Sequence, residues 1–456
     1  STGARARAKV LGHGLWRPCY KMSNSVSEAL TFLRQLGTPD ELSTRANSSY
    51  EPTTRPRVNA HIHLPPNFSA FDSVAQAIQL AGDQQIGVLG VSNYYDYDVY
   101  GDFVAGARQR GIFPLFGLEI IALIDEYVQA KAKINDPGNP GKIYICGKGI
   151  TRFAPFNAEA QRLMNIIRGN DSKRMAEMVA KLSAVFAERG LPVNLSEADV
   201  VQMVVDRHGS KRERVYLQER HACQAFQEAI FRKVPANQRV ERLSNVLGLN
   251  GSPPKFGPGD AVKIQNEIRA YLMKAGRPAY VPETFVSFDE AYRLILELGG
   301  IPCYPTLADG VTPITWFESP VEKLIAHLKQ FGFHCAEFIP IRNTPEVLSE
   351  YVKAMRAAGL VITAGTEHNT LDLLPIEPTC LNGVPVPDDV KEIFWEGACV
   401  VAAHQFLTLN GKTGFVESSG APNKEYADTE TRIAAFKKLG AAVIQRYSER
   451  ATKAHA

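Results

Sequence analysis

Hydrophobic and polar positions follow two different rhythms along this chain. From Arg57 to residue 124, short apolar runs alternate with amphipathic stretches. Val58–Ile62, Val88–Val91 and Phe113–Phe116 predict strands. Ser73–Ala81, with Val74, Ala77, Ile78 and Ala81 at helical spacing, and Tyr100–Arg110, ended by Gly111, predict helices. Over 125–285 this alternation stops. Asn135–Lys142 is a Gly/Pro/Asn loop, and Asn157–Arg168, Ser172–Arg189, Val215–Lys233 and Val262–Ala275 all carry helical patterns. The first rhythm returns with a helix at Phe288–Leu298 and a strand at Ile301–Tyr304. A helix at Val321–Phe331, a strand at Cys335–Ile339, a helix at Thr344–Ala358 and a strand at Leu360–Ala364 follow. Thr344 is placed to cap its helix, with Pro345 in the first turn.

Strands and helices in strict alternation indicate parallel β/α units. The expected architecture is α/β: a distorted TIM-like β/α barrel made of 57–124 and 286–410, interrupted by a mainly helical insertion at 125–285. Residues 1–56 read as an arm and linker with a helix at Ser25–Leu36, and 411–456 as a C-terminal extension with a helix. A chain of 456 residues is long enough to need more than one core.

Composition narrows the picture slightly. A formal charge of +3, from 51 basic and 48 acidic residues, gives no footprint for stable nucleic-acid binding or an anionic membrane, although a short nucleic acid as substrate is compatible with it. No apolar run reaches the ~18 residues of a membrane span. The basic Ser1–Lys9 has no apolar stretch behind it, so no secretory signal is expected. The seven cysteines, at 19, 146, 223, 303, 335, 380 and 399, form no CxxC pair and are expected to be reduced in a cytoplasmic protein.

Candidate chemistry gathers where strands stop. The first strand runs into Asn59-Ala60-His61-Ile62-His63. Histidines at i and i+2 on a strand point to one side. At the C-terminal end of a barrel strand that side is the mouth, and neutral imidazoles suit Zn, Mn or Fe. An HxH alone reads equally well as two surface histidines. Other strand ends add Glu119, Ser92-Asn93-Tyr94, Tyr304-Pro305 and Gly365-Thr366-Glu367-His368-Asn369. Arg342-Asn343 close another apolar run, and an arginine there can fork onto a carboxylate or phosphate. His221 follows Arg220 on a predicted helix. His404 sits in an apolar run and reads as core, and Lys211-Arg212-Glu213-Arg214 as a solvated helix start.

These motifs resemble the PHP family, the polymerase and histidinol phosphatase group, over roughly residues 57–375. His61-Ile62-His63 matches its opening HxH, Gly117-Leu118-Glu119 its Gly-x-Glu, and Gly299-Gly300-Ile301-Pro302-Cys303-Tyr304-Pro305 the segment ending in Ala-His-Pro. Gly365-Thr366-Glu367-His368 is the counterpart of its closing Gly-Ser-Asp-x-His. Gln218-Glu219-Arg220-His221-Ala222 resembles a stretch that bends over the active site in a branch with a helical module, the branch of nucleoside bisphosphate and oligoribonucleotide phosphatases. The resemblance implies a metal held by His61, His63, Glu119 and Glu367. It also implies a metal-dependent hydrolase acting on a small molecule, foremost a phosphate ester.

The departures matter as much. Where the family places further metal ligands, this chain has Asn67, Asn93, Tyr94, Tyr144 and Tyr304, and His368 stands one place early. A phenol with its unperturbed pKa of ~10 is a poor ligand but a good hydrogen-bonding or acid/base group. One divalent ion per chain is therefore expected, Zn or Mn first and Fe as the alternative. His368, Tyr94, Tyr304 and His221 are the candidate acid/base groups. Arg342, Asn343, Arg220 and Tyr144 are the candidate substrate contacts. Two other readings stand beside the hydrolase: a mononuclear metal lyase, isomerase or non-phosphate hydrolase on an oxygenated small molecule, and a non-catalytic ligand-binding barrel. A homo-oligomer is left open.

Overall fold

The computed structural model describes residues 26–48, 55–249 and 251–453. Its centre is a sheet of eight strands: β1 Arg57–Ile62, β2 Ile86–Val91, β3 Phe113–Leu123, β4 Lys142–Lys148, β5 Val286–Ser287, β6 Ile301–Thr306, β7 Cys335–Phe338 and β8 Val361–Ala364. The order is β1-β2-β3-β4-β6-β7-β8, with β5 paired to the far end of β3. Neighbours are parallel except around β4, which runs antiparallel to both β3 and β6.

The sheet closes on itself. Beyond β8, the amides of Thr366 and Glu367 donate to His61 O at 3.0 and 2.9 Å, and His63 N donates to Glu367 O at 2.8 Å. Gly365 makes this closure possible, because a Cβ at that position would stand 2.3 Å from His61 Cβ. The result is the expected distorted β/α barrel, with the HxH strand zipped to the Glu367 segment.

β4 lies inside the span read as helical. Its sequence, Lys-Ile-Tyr-Ile-Cys-Gly-Lys, hides the strand behind a buried lysine at each end. The two stretches expected at Asn157–Arg168 and Ser172–Arg189 are one helix, Ala158–Glu188, of 31 residues. Gly169 is tolerated at its centre, where it faces open space. The helix works as a shaft between two cores. Leu163, Met164 and Ile167 pack into the barrel core, while Met178, Val179, Leu182 and Phe186 pack into a second core built by the module.

Helices Glu197–His208, Glu219–Lys233, Ala236–Leu247 and Ala261–Ile268 complete that module. Val215–Gln218 precedes its helix rather than belonging to it. At the other end, helix Asp388–Leu409 packs on β8 and on helix Thr429–Lys453. His404 is core as expected: Nε2 meets Gly299 O at 2.8 Å and Nδ1 accepts from Phe415 N at 2.9 Å. Helix Val26–Arg34 lies within the expected Ser25–Leu36, of which Ser25 falls outside the described residues, as does Cys19. The other six cysteines are free and buried. No helix among the described residues is long and apolar enough to cross a membrane.

Candidate active site

His61 and His63 leave β1 on the same side and meet Glu119, which stands midway along β3. His61 Nε2, His63 Nε2 and Glu119 Oε2 form a triangle with all three edges at 3.4 Å. Those edges match a tetrahedral arrangement around an ion about 2.1 Å from each atom, the bond length of Zn–N and Zn–O. All three residues are buried. Two imidazole nitrogens and a carboxylate oxygen facing one another away from water need positive charge among them. Without an ion, protons must supply it. Burial opposes a charged His61, but Glu337 and Glu119, working against Lys148, push its pKa up to about 9. Burial alone would raise Glu119, yet its bonds to His61 and His63 hold it far below the usual carboxylate range. The donor set therefore fits a divalent cation.

A dry charged network stands behind the triangle. His61 Nδ1 meets Glu337 Oε1 at 2.6 Å. Glu337 forms an ion pair with Lys148, whose Nζ also donates to Ala60 O at 3.3 Å. A carboxylate on Nδ1 fixes the ring and directs the Nε2 lone pair toward the triangle. A second cluster of ligand-type atoms, His61–Cys146–Glu337, already has the Lys148 ammonium on its carboxylate. Sequence reasoning singled out neither Glu337 nor Lys148. The available signal was a charge inside an apolar strand, as in Cys335-Ala336-Glu337-Phe338, which is stable only when paired.

Tyr94 supports the other side. Its ring stacks on His63 at 5.3 Å with 7° between planes, and its hydroxyl donates to Glu119 Oε1. Burial and the Glu119 charge push its pKa well above 10, so the phenol keeps its proton. Asn93 bridges Leu64 N at 2.8 Å and Leu64 O at 2.9 Å, and Asn67 Oδ1 accepts from Tyr94 N at 2.6 Å. The Asn93 amide both donates and accepts there, which an ionised aspartate cannot do.

Glu367 stands beside the triangle rather than in it. The three ligand atoms lying within 4.8 Å of one another come from His61, His63 and Glu119. Arg342 grips Glu367 with both terminal nitrogens, Nη1 to Oε1 at 2.9 Å, and Asn369 adds a further donor. Glu367 and His368 both have left-handed backbones, with φ of 55° and 53°. Such residues cost about 1–3 kcal/mol each and persist only when their surroundings over-determine them. Here the bonds to His61 and His63, and Ala70 N donating to His368 O at 2.8 Å, do so.

Four of the sequence candidates hold the walls instead of facing the cavity. His368 has both ring nitrogens engaged, Nδ1 with Thr366 Oγ1 at 2.7 Å and Nε2 with Leu374 O at 2.9 Å, and it stacks on Phe71. Tyr304 is fully buried and donates to Glu318 Oε1 at 2.8 Å. Asn343 ties Leu307 O and Asp309 Oδ1 at 2.7 and 2.9 Å. His221 accepts from Gln218 N at 3.0 Å at its helix start, and burial lowers its pKa to about 3, so it is neutral.

A cavity of about 440 Å³ opens over Glu119, between barrel and module. Tyr94, Tyr144, Arg342 and Glu367 line it from the barrel, and Arg174, Glu219, Arg220, Arg269 and Lys274 from the module. Glu219 receives Arg269 at 2.8 Å, Arg174 at 3.0 Å and Lys274 at 3.9 Å. Arg220 has no carboxylate partner among the described residues; its Nη1 donates to Asn266 Oδ1 at 3.3 Å. Burial, then the Arg269 charge, lowers the pKa of both Arg220 and Lys274. Positive charge on this wall thus exceeds what the protein itself neutralises, and the cavity attracts anions.

No family model and no curated protein matches the chain. Two solved structures are similar to it at 16% identity. One is a Bifidobacterium adolescentis protein whose name proposes a metal-dependent phosphoesterase, with TM-score 0.47, covering 74% of this chain and 94% of that one. The other is an amidohydrolase from Chromobacterium violaceum with bound sulfate and no metal, with TM-score 0.46, covering 74% and 96%. Neither likeness carries an activity to this chain.

Proposed function

We propose that this chain is a divergent PHP-type hydrolase that uses one divalent metal ion, Zn or Mn, to cleave an ester of an anionic small molecule, foremost a phosphate ester. The observation that carries the reading is the 3.4 Å triangle of His61, His63 and Glu119 beneath a cavity rich in arginine and lysine. When bound, such an ion supplies Lewis acidity and lowers the pKa of water toward ~7.

The chain's own residues do the rest. Glu337 holds the His61 ring in register, and Tyr94 holds Glu119. Arg220, Arg269 and Lys274 bind and orient the anion, and Arg342 has its guanidinium on the same cavity. Glu367, clasped by Arg342, lines the same cavity and would be a further ligand if it turned toward the triangle. Tyr94 and Tyr144 face the cavity where further ligands would be needed for a second ion. Neutral phenols are poor metal ligands, and Tyr94 already donates its hydroxyl to Glu119, which favours a single ion and keeps a mononuclear lyase, isomerase or non-phosphate hydrolase as the competing reading.

Metal analysis of purified protein, followed by a panel of phosphomonoesters, phosphodiesters and carboxylate esters, tests this. Metal-dependent release of phosphate supports the reading. Metal binding with turnover confined to phosphate-free substrates replaces it with the competing one. A chain that binds anions but retains no metal is a ligand-binding barrel.

A further inference from the structure

One carboxyl on the cavity wall has no part in the chemistry above. Asp171 lies on helix Ala158–Glu188, at the level where the helix passes from the barrel core to the module core. It lines the same cavity as Glu119 and is 9% exposed. Among the described residues it has no hydrogen bond or ion pair.

The cations around it are committed elsewhere. Arg174, one turn along the same helix, binds Glu219 at 3.0 Å and reaches Glu283 at 3.5 Å. Lys142, from β4, binds Asp136 at 3.1 Å. Glu219 faces Asp171 from the start of helix Glu219–Lys233, and Tyr95 approaches from the loop after β2. Burial, opposed by Arg174 and Lys142 and reinforced by Glu219, raises the Asp171 pKa to about 7. An unpaired carboxyl raised toward neutral pH and lining the cavity above Glu119 suits proton transfer.

We propose that Asp171 is the general acid of this site and protonates the leaving oxygen of the ester. The inference rests on the hydrolase reading given above. Water oxygen bonds to phosphorus, and the bond from phosphorus to the ester oxygen breaks with its electron pair on that oxygen. The leaving oxygen takes the Asp171 proton and departs as an alcohol. The proton lost by the attacking water passes to solvent, and solvent reprotonates Asp171.

A good leaving group needs no acid, and that separates the outcomes. Metal-loaded wild type and Asp171→Asn are compared on p-nitrophenyl phosphate and on glycerol phosphate. Asp171→Asn should lower kcat on the alkyl ester by about 10²–10⁴-fold, leave the aryl ester within about fivefold, and retain the same metal content. In wild type, kcat on the alkyl ester should fall as pH rises through about 7, while the aryl ester lacks this limb. Independently of turnover, a wild-type minus Asp171→Asn infrared difference spectrum should show a protonated-carboxyl band that titrates near the same pH. Equal loss on both esters, no loss on either, or a carboxyl already ionised at pH 5 overturns the role of Asp171. Wild type inactive on both esters overturns the phosphoesterase reading, and the proposal with it.

Discussion

The two sides of the cavity carry charge in opposite ways. On the barrel side each charge has a partner in place: Glu337 sits between His61 and Lys148, Glu119 accepts from Tyr94, and Glu367 is clasped by Arg342. On the module side, among the described residues, Arg220 has no acid, Lys274 touches one only at 3.9 Å, and Asp171 has no base. An uncompensated charge in a dry barrel core would cost several kcal/mol, so the floor carboxylates are paired within the protein and the triangle of His61, His63 and Glu119 leaves only the charge of a small ion to be supplied. The wall borders open space, where residual charge can be left for a ligand to neutralise. The floor offers a donor set that fits a small cation, and the wall carries residual positive charge.

Removing a corner of the triangle breaks this contrast most completely. His61→Ala or Glu119→Ala should abolish metal retention and turnover while the far-ultraviolet spectrum and cooperative melting persist, because neither residue belongs to the hydrophobic core. Next comes the network behind the triangle. Glu337→Gln strands the Lys148 ammonium and should destabilise the fold by about 3–5 kcal/mol. It should also weaken metal affinity by about 10–100-fold, read by denaturant unfolding and metal titration. Adding Lys148→Met should recover stability but not affinity. If affinity also returns, Glu337 acts only by keeping the fold intact.

The wall should respond differently. Arg220→Met should raise KM for anionic substrates by about tenfold, the scale of one charge-assisted contact, with kcat and metal content little changed. A fall in kcat at constant KM would place Arg220 at the reacting group instead. The smallest effect is expected at Tyr304, whose hydroxyl serves Glu318 away from the cavity. Tyr304→Phe should cost about 1–2 kcal/mol of stability and leave turnover within about twofold. A large loss of kcat would return Tyr304 to the chemistry.

The floor was more legible in the sequence than the wall, for a physical reason. His61, His63 and Glu119 follow or lie on apolar strands whose period dictates which side they face. The β/α rhythm then brings those strand ends together. Tyr94 was legible as a site residue, but not as the group that holds Glu119. Glu337 and Lys148 escaped because each is embedded in an apolar run, and only the closed sheet shows that they meet. The wall depends on how a helical module folds back onto the barrel. Asp171, Arg174, Arg269 and Lys274 come from separate turns and helices whose convergence no local pattern encodes. The same limit explains His368: a Glu-His pair after a strand looks like two ligands, yet the left-handed turn directs His368 into a polar clasp behind Phe71.

The single-ion claim is tested most directly by counting metal. Purified chain, loaded with Zn or Mn and dialysed against metal-free buffer, is measured by elemental analysis against protein concentration. One tightly held ion per chain is predicted, absent from Glu119→Ala. Two or three retained ions, or an ion that survives Glu119→Ala, would show that the phenols of Tyr94 and Tyr144 or the carboxylate of Glu367 bind metal, and that the triangle is only part of a larger centre.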